Sequence, residues 1–571
     1  MRFPLRTTLA AAVFALAACS SNDSSTNSPP PAPSAVTATA LSSGSVRLTW
    51  TGPANATSYI VQRAAGAAGA FATVASPTTS PFDDAGLTQS TLYRYQVATV
   101  IGTDTGAFSA AVSVTTLAFG NAGALLTGNI VASRTLSADT VYTLSGFVKV
   151  RSGATLTIPA GTKLVGDTTV AGSSLWITRG GRIDAQGTAA LPIIMTSARA
   201  PGNRKPGDWG GVIIVGNATA NRGSCGANPS CVNTTLTEGP AGGIQNTAEN
   251  YAGGSDANDN SGTMRYVRIE FAGYAVQANQ ELNSLSMYAV GRGTTLEYIE
   301  AMSGLDDSFE WFGGSVDARH LVSYEAGDDH FDWTEGYNGR VQYMIGLQTY
   351  KPTPLAGAGF VSSDPRGFEG DGCENDKAGC PDYFTKPYSG PVFANFTMVG
   401  TGPGVFVGVS EGNGAVIRRG SGANLVNGII ARWQGRGLNV RDAASDSLRK
   451  VDSLIVTNTL FNENALGNFD PAGTNFGQFA NYPNNDSLAV STSTLFTSLP
   501  LPGVEPTTGT LDWSLSAASQ ARTGGLTTFT GKLQARTAGF FGGTLAGTSY
   551  RGAADPAGTK WWEGWTAYNR N

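Results

Sequence analysis

The sequence predicts an all-β protein made of two β architectures in series. Three observations predict it. Glycine supplies 74 of 571 residues, about 13% against a usual level of about 7%. Charged residues make up 14%, where about 25% is typical. Short apolar runs separated by Gly, Asn and Asp turns recur throughout, as alternating strands over residues 36–117 and as repeating units from about residue 118. Coiled coils need far more Glu, Lys and Leu, and collagen needs a strict glycine period. The net charge of −5 lacks the basic surplus of a nucleic-acid binder, so no nucleic-acid partner is expected. With 41% hydrophobic residues the chain can bury a large core.

The N-terminus reads as an export signal. Arg2 and Arg6 precede an apolar run from Leu9 to Ala18, too short to span a bilayer. Leu16-Ala17-Ala18-Cys19 resembles the lipobox of bacterial lipoproteins. The resemblance implies cleavage before Cys19, a lipid on that cysteine, and membrane attachment through it. Ser20 and Ser21 in place of Asp imply an outer-membrane lipoprotein, on the periplasmic or cell-surface face. An ordinary signal peptide with an incidental cysteine is the alternative. Residues 1–18 are thus the signal peptide and residues 19–35, rich in Ser, Asn and Pro, a tether that cannot form a core. The other cysteines form two local pairs, Cys225 with Cys231 and Cys373 with Cys380. In an exported chain these read as disulfides closing surface loops. Neither pair has zinc-ligand spacing, and the chain has only two histidines, His320 and His330.

Residues 36–117 carry strands at Val36–Leu41, Val46–Trp50, Tyr59–Arg63, Phe71–Val74, Leu92–Val100 and Ala110–Thr116. Trp50 lies on an early strand, and Leu87 precedes Leu92-Tyr93-Arg94-Tyr95-Gln96-Val97. This segment resembles a fibronectin type III domain, which implies a two-sheet sandwich packed on Trp50 and a late Tyr-x-Tyr strand. No Arg-Gly-Asp tripeptide is present, so a spacer is expected.

From residue 118 the repeats begin. Leu156 to Leu164 recurs as Leu175 to Ile183, at an offset of 19 residues. Later units include Gly211–Val215, Tyr266–Phe271, Leu296–Glu300, Val392–Phe396, Leu425–Ile430 and Leu454–Val456. Units of about 20 residues cannot each bury a face, but stacked as coils they share one core. The pattern resembles a right-handed parallel β-helix, expected over residues 118–480. Residues 481–571 are expected to add further coils and an aromatic cap. A propeller is the alternative, but its blades need about 40 residues or more.

The best-defined repeat is acidic. Asp306-Asp307-Ser308-Phe309-Glu310-Trp311 recurs as Asp328-Asp329-His330-Phe331-Asp332-Trp333, 22 residues on, with a degenerate third copy at Phe368-Glu369. Strand alternation puts Phe309, Trp311 and Asp307 on the core side. It puts Asp306, Ser308 and Glu310 outside. Stacking at about 4.8 Å places Asp306 over Asp328 and Glu310 over Asp332. Carboxylates that close must raise one pKa or share a cation. Three readings follow. The row caps backbone N–H groups structurally; or it holds Ca²⁺, which takes six to eight oxygens; or Asp306, Glu310, Asp328 and Asp332 are catalytic, one protonating a glycosidic oxygen while another activates water. Motifs that accompany paired aspartates in polygalacturonase-type β-helix hydrolases (Asn-Thr-Asp, Gly-His-Gly, Arg-Ile-Lys) are absent.

Asp256, Asn258 and Asn260 begin like a calcium-binding EF-hand loop, but the glycine comes one place late and Val267 stands where the bidentate Glu belongs. A simpler calcium loop or an Asx turn remains. Arg418, Arg419, Arg432, Arg436 and Arg441, with Trp433 among them, suggest a glycan groove built from bidentate contacts and stacking, or else ordinary arginines on separate coils. The aromatic end, Tyr550 to Trp565, is expected to fold over the open end of the β-helix and block edge pairing.

Four segments together, Asp208–Gly211, Arg265–Gly273, Asp306–Gly314 and Gly564–Thr566, resemble a bacterial family of secreted or surface β-helix lipoproteins without assigned activity. The resemblance spans about residues 118–571. The expected function is a lipid-anchored protein presenting a β-helix to an extracellular partner, a polysaccharide. The competing readings are a polysaccharide hydrolase or lyase, and a calcium-stabilised scaffold.

Overall fold

The structure is a computed structural model. It describes residues 28–40, 44–88, 90–116, 124–222, 234–238, 251–277, 280–373, 380, 382–403, 412–499 and 506–568. The signal peptide, Cys19, the start of the tether and the Cys225–Cys231 pair lie outside the described residues. Cys373 and Cys380 form a disulfide. No described helix is long and apolar enough to cross a membrane.

The N-terminal unit is a two-sheet sandwich. One sheet holds Ser34–Ala40, Val46–Thr51 and Phe82–Asp84; the other holds Ala72–Ala75, Ser58–Ala65, Leu92–Ile101, Asp104–Phe108 and Val112–Thr115. Strand alternation buries Val46, Leu48 and Trp50 on one strand and Tyr93, Tyr95 and Val97 on another. Trp50 meets Tyr59 edge-on at 5.1 Å between ring centroids. Two strands not anticipated from sequence, Phe82–Asp84 and Asp104–Phe108, complete the sheets. The second is one arm of a hairpin that pairs Ile101 with Asp104, its turn made by Gly102 at φ +62°.

The second unit is a parallel β-helix. A 25-stranded parallel sheet runs from Ala124–Ile130 to Asp486–Leu488. Each full coil contributes strands to three faces. Phe309–Phe312, for example, pairs with Phe331–Thr334 on one face, while Asp317–Tyr324 runs across the other two and pairs with Arg340–Leu347. The 22-residue offset is therefore one coil. The third copy is also real, since Phe331 pairs with Phe368 and Asp332 with Glu369.

The 19-residue offset is not a coil. Leu156 pairs with Ile183, 27 residues on, whereas Leu175 pairs with Val148 and Val212. Leu156 and Leu175 lie on different faces. The two segments look alike because each face needs the same alternating apolar strand followed by a glycine turn.

The corner between two faces is made by one left-handed residue per coil. Tyr266, Tyr298, His320, Tyr343, Asn395, Asn427 and Asn458 have φ between +50° and +67°. Such backbone costs a side-chain-bearing residue about 1–2 kcal/mol. Stacking offsets that cost here. Ring centroids are 4.3 Å apart for Tyr266–Tyr298, 4.2 Å for Tyr298–His320 and 5.0 Å for His320–Tyr343.

This column docks the C-terminus. Trp565 meets Tyr266 and Tyr298 edge-on, and Trp561 lies against His320. Asn395 donates to Thr548, Asn427 to the Leu526 carbonyl and Asn458 to the Gly524 carbonyl. The aromatic end thus lies along a flank of the β-helix rather than over its open end. Among the described residues, those after Leu488 add no coil to the parallel sheet. Their strands form antiparallel pairs, Phe496–Ser498 with Asp512–Leu515 and Ala538–Phe540 with Gly543–Thr544. The physical reason is the outward apolar column Met302, Tyr324, Leu347 and Val399, with Phe271 packed beside it, which needs covering. Trp513, Trp562, Trp565 and Tyr568 cover it.

Candidate functional site

The acidic repeat forms one face of the β-helix. Phe309, Trp311, Phe331, Trp333 and Phe368 point into the central core, while Glu310, Asp332 and Glu369 stack on the outer side in register. The expected phase fails one residue earlier. The strand begins only at Phe309, and residues 306–308 lie outside it. Alternation therefore does not extend back to Asp307. Its carboxylate joins the outer row, within 4.8 Å of ligand atoms on Glu310 and Asp332. Ser308 instead turns inward, 2.6 Å from Ser323, which is 2.5 Å from Nδ1 of His330.

A hydrogen-bond ladder fixes the row. Oδ1 of Asn283 accepts from the Asp307 N–H at 3.1 Å. Oδ1 of Asp307 accepts from Asp329 at 2.8 Å, and Oδ1 of Asp329 accepts from Arg366 at 2.6 Å. Each side chain caps the backbone of the next coil, as in the capping reading. The ladder uses one oxygen per residue and leaves the remaining charge to be matched. Arg366 pairs with Asp329, Asp364 and Glu369; Arg418 pairs with Glu369 and Asp371; Arg419 pairs with Asp371. These contacts serve the Glu369 end. At the other end Asp306, Asp307, Glu310, Asp328 and Asp332 crowd together, and Oδ1 of the buried Asp332 has no hydrogen-bond partner among the described residues.

The crowding shifts the carboxyls upward. Burial, then the neighbouring Asp328, raises Asp306 well above the usual range; burial and Asp306 do the same to Asp307, and burial and Glu369 to Asp332. Burial carries Asp328 and Asp329 to about 7 against the pull of Arg366, and Glu369 to about 8.

Three overlapping groups bring one ligand oxygen per residue within 4.8 Å of one another: Asp306, Asp307 and Asp328; Asp307, Glu310 and Asp332; Asp329, Asp332 and Glu369. Oxygens on one Ca²⁺ lie about 2.3–2.6 Å from it, hence no more than about twice that apart. The donor set therefore fits a hard cation. Hydrolysis needs carboxyls that a sugar can reach, whereas Glu310 and Asp332 are each only 9% exposed. Sequence alone assigned Asp307 to the core and did not single out Asp329. The signal that could have placed them was the doubled aspartate just before the strand, a capping position.

The other expected sites come apart. Trp433 is in the core, its Nε1 donating to the Met398 carbonyl, and Arg432 is 2% exposed with Nε on the Gly400 carbonyl. Arg418 and Arg419 are committed to the acidic row, and Arg436 bonds the Leu466 carbonyl and Asp470. Among the described residues these arginines form no groove with Trp433, because the turn at 432–437 carries Trp433 inward. Asp256 accepts from the Asn258 N–H and Asn260 from the Gly262 N–H, both Asx turns. No candidate metal group among the described residues includes them. Burial pushes both histidines down to about 3, leaving them neutral.

A family profile described as a pectate-lyase-like β-helix domain matches residues 128–493. The chain belongs to the pectate-lyase-like β-helix family. A second profile, fibronectin type III, matches residues 31–115. Among curated proteins, none matches the chain. Solved structures similar to it include titin domains at 26% identity (16% of this chain and 32% of that one, TM-score 0.15). A Fn3-like protein from Clostridium thermocellum is 32% identical (15% and 92%, TM-score 0.14), and the FN5 domain of Drosophila Lar 29% (16% and 98%, TM-score 0.14). The chain spans about a third or less of the first such structures, from titin and chicken CNTN1.

Proposed function

We propose that this is an exported, carbohydrate-binding β-helix protein whose buried acidic row holds a divalent cation, with Ca²⁺ the best chemical fit, and does not cleave sugar. The single observation that carries the cation is Asp332. A buried carboxylate oxygen without a hydrogen-bond partner among the described residues, within reach of Asp307 and Glu310, costs several kcal/mol unless it is protonated or bound. The carbohydrate rests on the family match, and the extracellular setting on that match with the fibronectin domain. A lipid on Cys19 then tethers the protein to the outer membrane, with the fibronectin domain as spacer.

The test is a polysaccharide panel with the calcium-loaded full chain. Retention of at least one polymer is expected, with no new reducing ends and no unsaturated products. Cleavage that Asp332→Asn abolishes would overturn the non-catalytic reading. Absence of binding across the panel would overturn the carbohydrate.

A further inference from the structure

A second charged site lies on another face of the β-helix. Arg265, Glu297 and Arg319 occupy one register position on three successive coils. Glu297 is fully buried, and the guanidiniums of Arg265 and Arg319 clamp it from either side. The clamp holds both arginines in place while leaving them 41% and 37% exposed. Arg292, exposed in the preceding turn, makes no side-chain hydrogen bond or ion pair among the described residues. These groups line a cavity of about 380 Å³, closed on one side by the hairpin residues Gly539, Phe541 and Gly542. Arg319 lies 4.4 Å over the Phe541 ring. Asp317, also in the lining, is matched by Arg340 at 2.5 Å. Three guanidiniums thus face one carboxylate that is already shared, leaving an excess of two positive charges. Nε of Arg265 is buried and without a hydrogen-bond partner.

We propose that this cavity binds a tetrahedral oxyanion ester, sulfate or phosphate, carried on a saccharide. Three arginines from three turns of the coil offer donors from separate directions. That arrangement suits three terminal oxygens better than the two of a carboxylate. The saccharide rests on the function proposed above; the oxyanion rests on the cavity alone.

The test uses the full chain with glucose 6-sulfate, glucose 6-phosphate, glucuronate and glucose as probes, read by calorimetry at low salt. Saturable binding of the sulfate or phosphate ester is expected, weakening with salt, and whichever ester binds more tightly identifies the group. Arg292→Gln, which breaks no hydrogen bond or ion pair among the described residues, is expected to weaken it about tenfold. Asp332→Asn is expected to leave it unchanged, separating this cavity from the acidic row. Binding of the esters no tighter than glucose, binding of glucuronate as tight as either ester, or an unaltered Arg292→Gln variant would each overturn the proposal. Ester binding together with a blank polysaccharide panel would uphold the cavity and reject only the polysaccharide.

Discussion

Stripped of divalent cations, the full chain is expected to melt at a lower temperature at pH 8 than at pH 5. Asp328 and Asp329 titrate near 7 in the folded chain against an ordinary 3.8, and Glu369 near 8 against 4.5. These three carboxyls hold more protons folded than unfolded between these values, outnumbering the two buried histidines, whose lowered pKa acts the other way below about pH 6.5. A raised carboxyl contributes stability that is fully present below its unfolded pKa and is lost as pH rises through its folded pKa. The loss should fall mainly between about pH 4 and pH 8 and lower the melting temperature by on the order of 5 °C. Calcium is expected to reverse the trend. It binds the ionised carboxylates, so its stabilisation grows as the protons leave. Melting followed by circular dichroism at pH 5 and pH 8, with chelator and with calcium, checks all four states. A chelator without effect at pH 8 contradicts the cation.

The second large effect is expected from Trp333→Ala. Its side chain is fully buried, 5.1 Å from Phe393 and 6.3 Å from Phe368 between ring centroids, and its Nε1 donates to Ser421 at 2.9 Å. The next coil is hollowed to receive it, since a Cβ on Gly370 would lie 2.1 Å from Cζ2 of Trp333. Truncation leaves a void that stacked strands cannot close and removes the donor to a buried hydroxyl. The expected cost is about 3–5 kcal/mol, read as a lowered midpoint in urea unfolding. A change under about 1 kcal/mol contradicts the packing described.

Much of this architecture was legible in the sequence. The aromatic pairs Phe309/Trp311 and Phe331/Trp333 gave the coil length because an inward strand position tolerates little variation. The expected stacking of Glu310 on Asp332 follows from the same pairs, and the register bears it out. The misreadings share one cause: local alternation says nothing about where a strand begins or which face it occupies. Asp307 lies before its strand, Leu156 and Leu175 belong to different faces, and Trp433 turns inward among arginines committed to backbone and carboxylates. The C-terminal flank was illegible for another reason. Its docking column is built from single residues 22 to 52 positions apart, from Tyr266 to Asn395 and beyond, a spacing no local pattern exposes. The cavity around Arg265 and Arg319 was hidden in the same way, across coils.

Whether the acidic row holds a divalent cation is decided by calcium titration of the chelator-treated full chain at pH 8, by calorimetry in two buffers of different ionisation enthalpy. Saturable binding with proton release is expected, because protonated carboxyls must ionise to take the metal. Asp332→Asn is expected to weaken binding about tenfold or more. No saturable heat, or binding that Asp332→Asn leaves untouched, would contradict a cation in the acidic row.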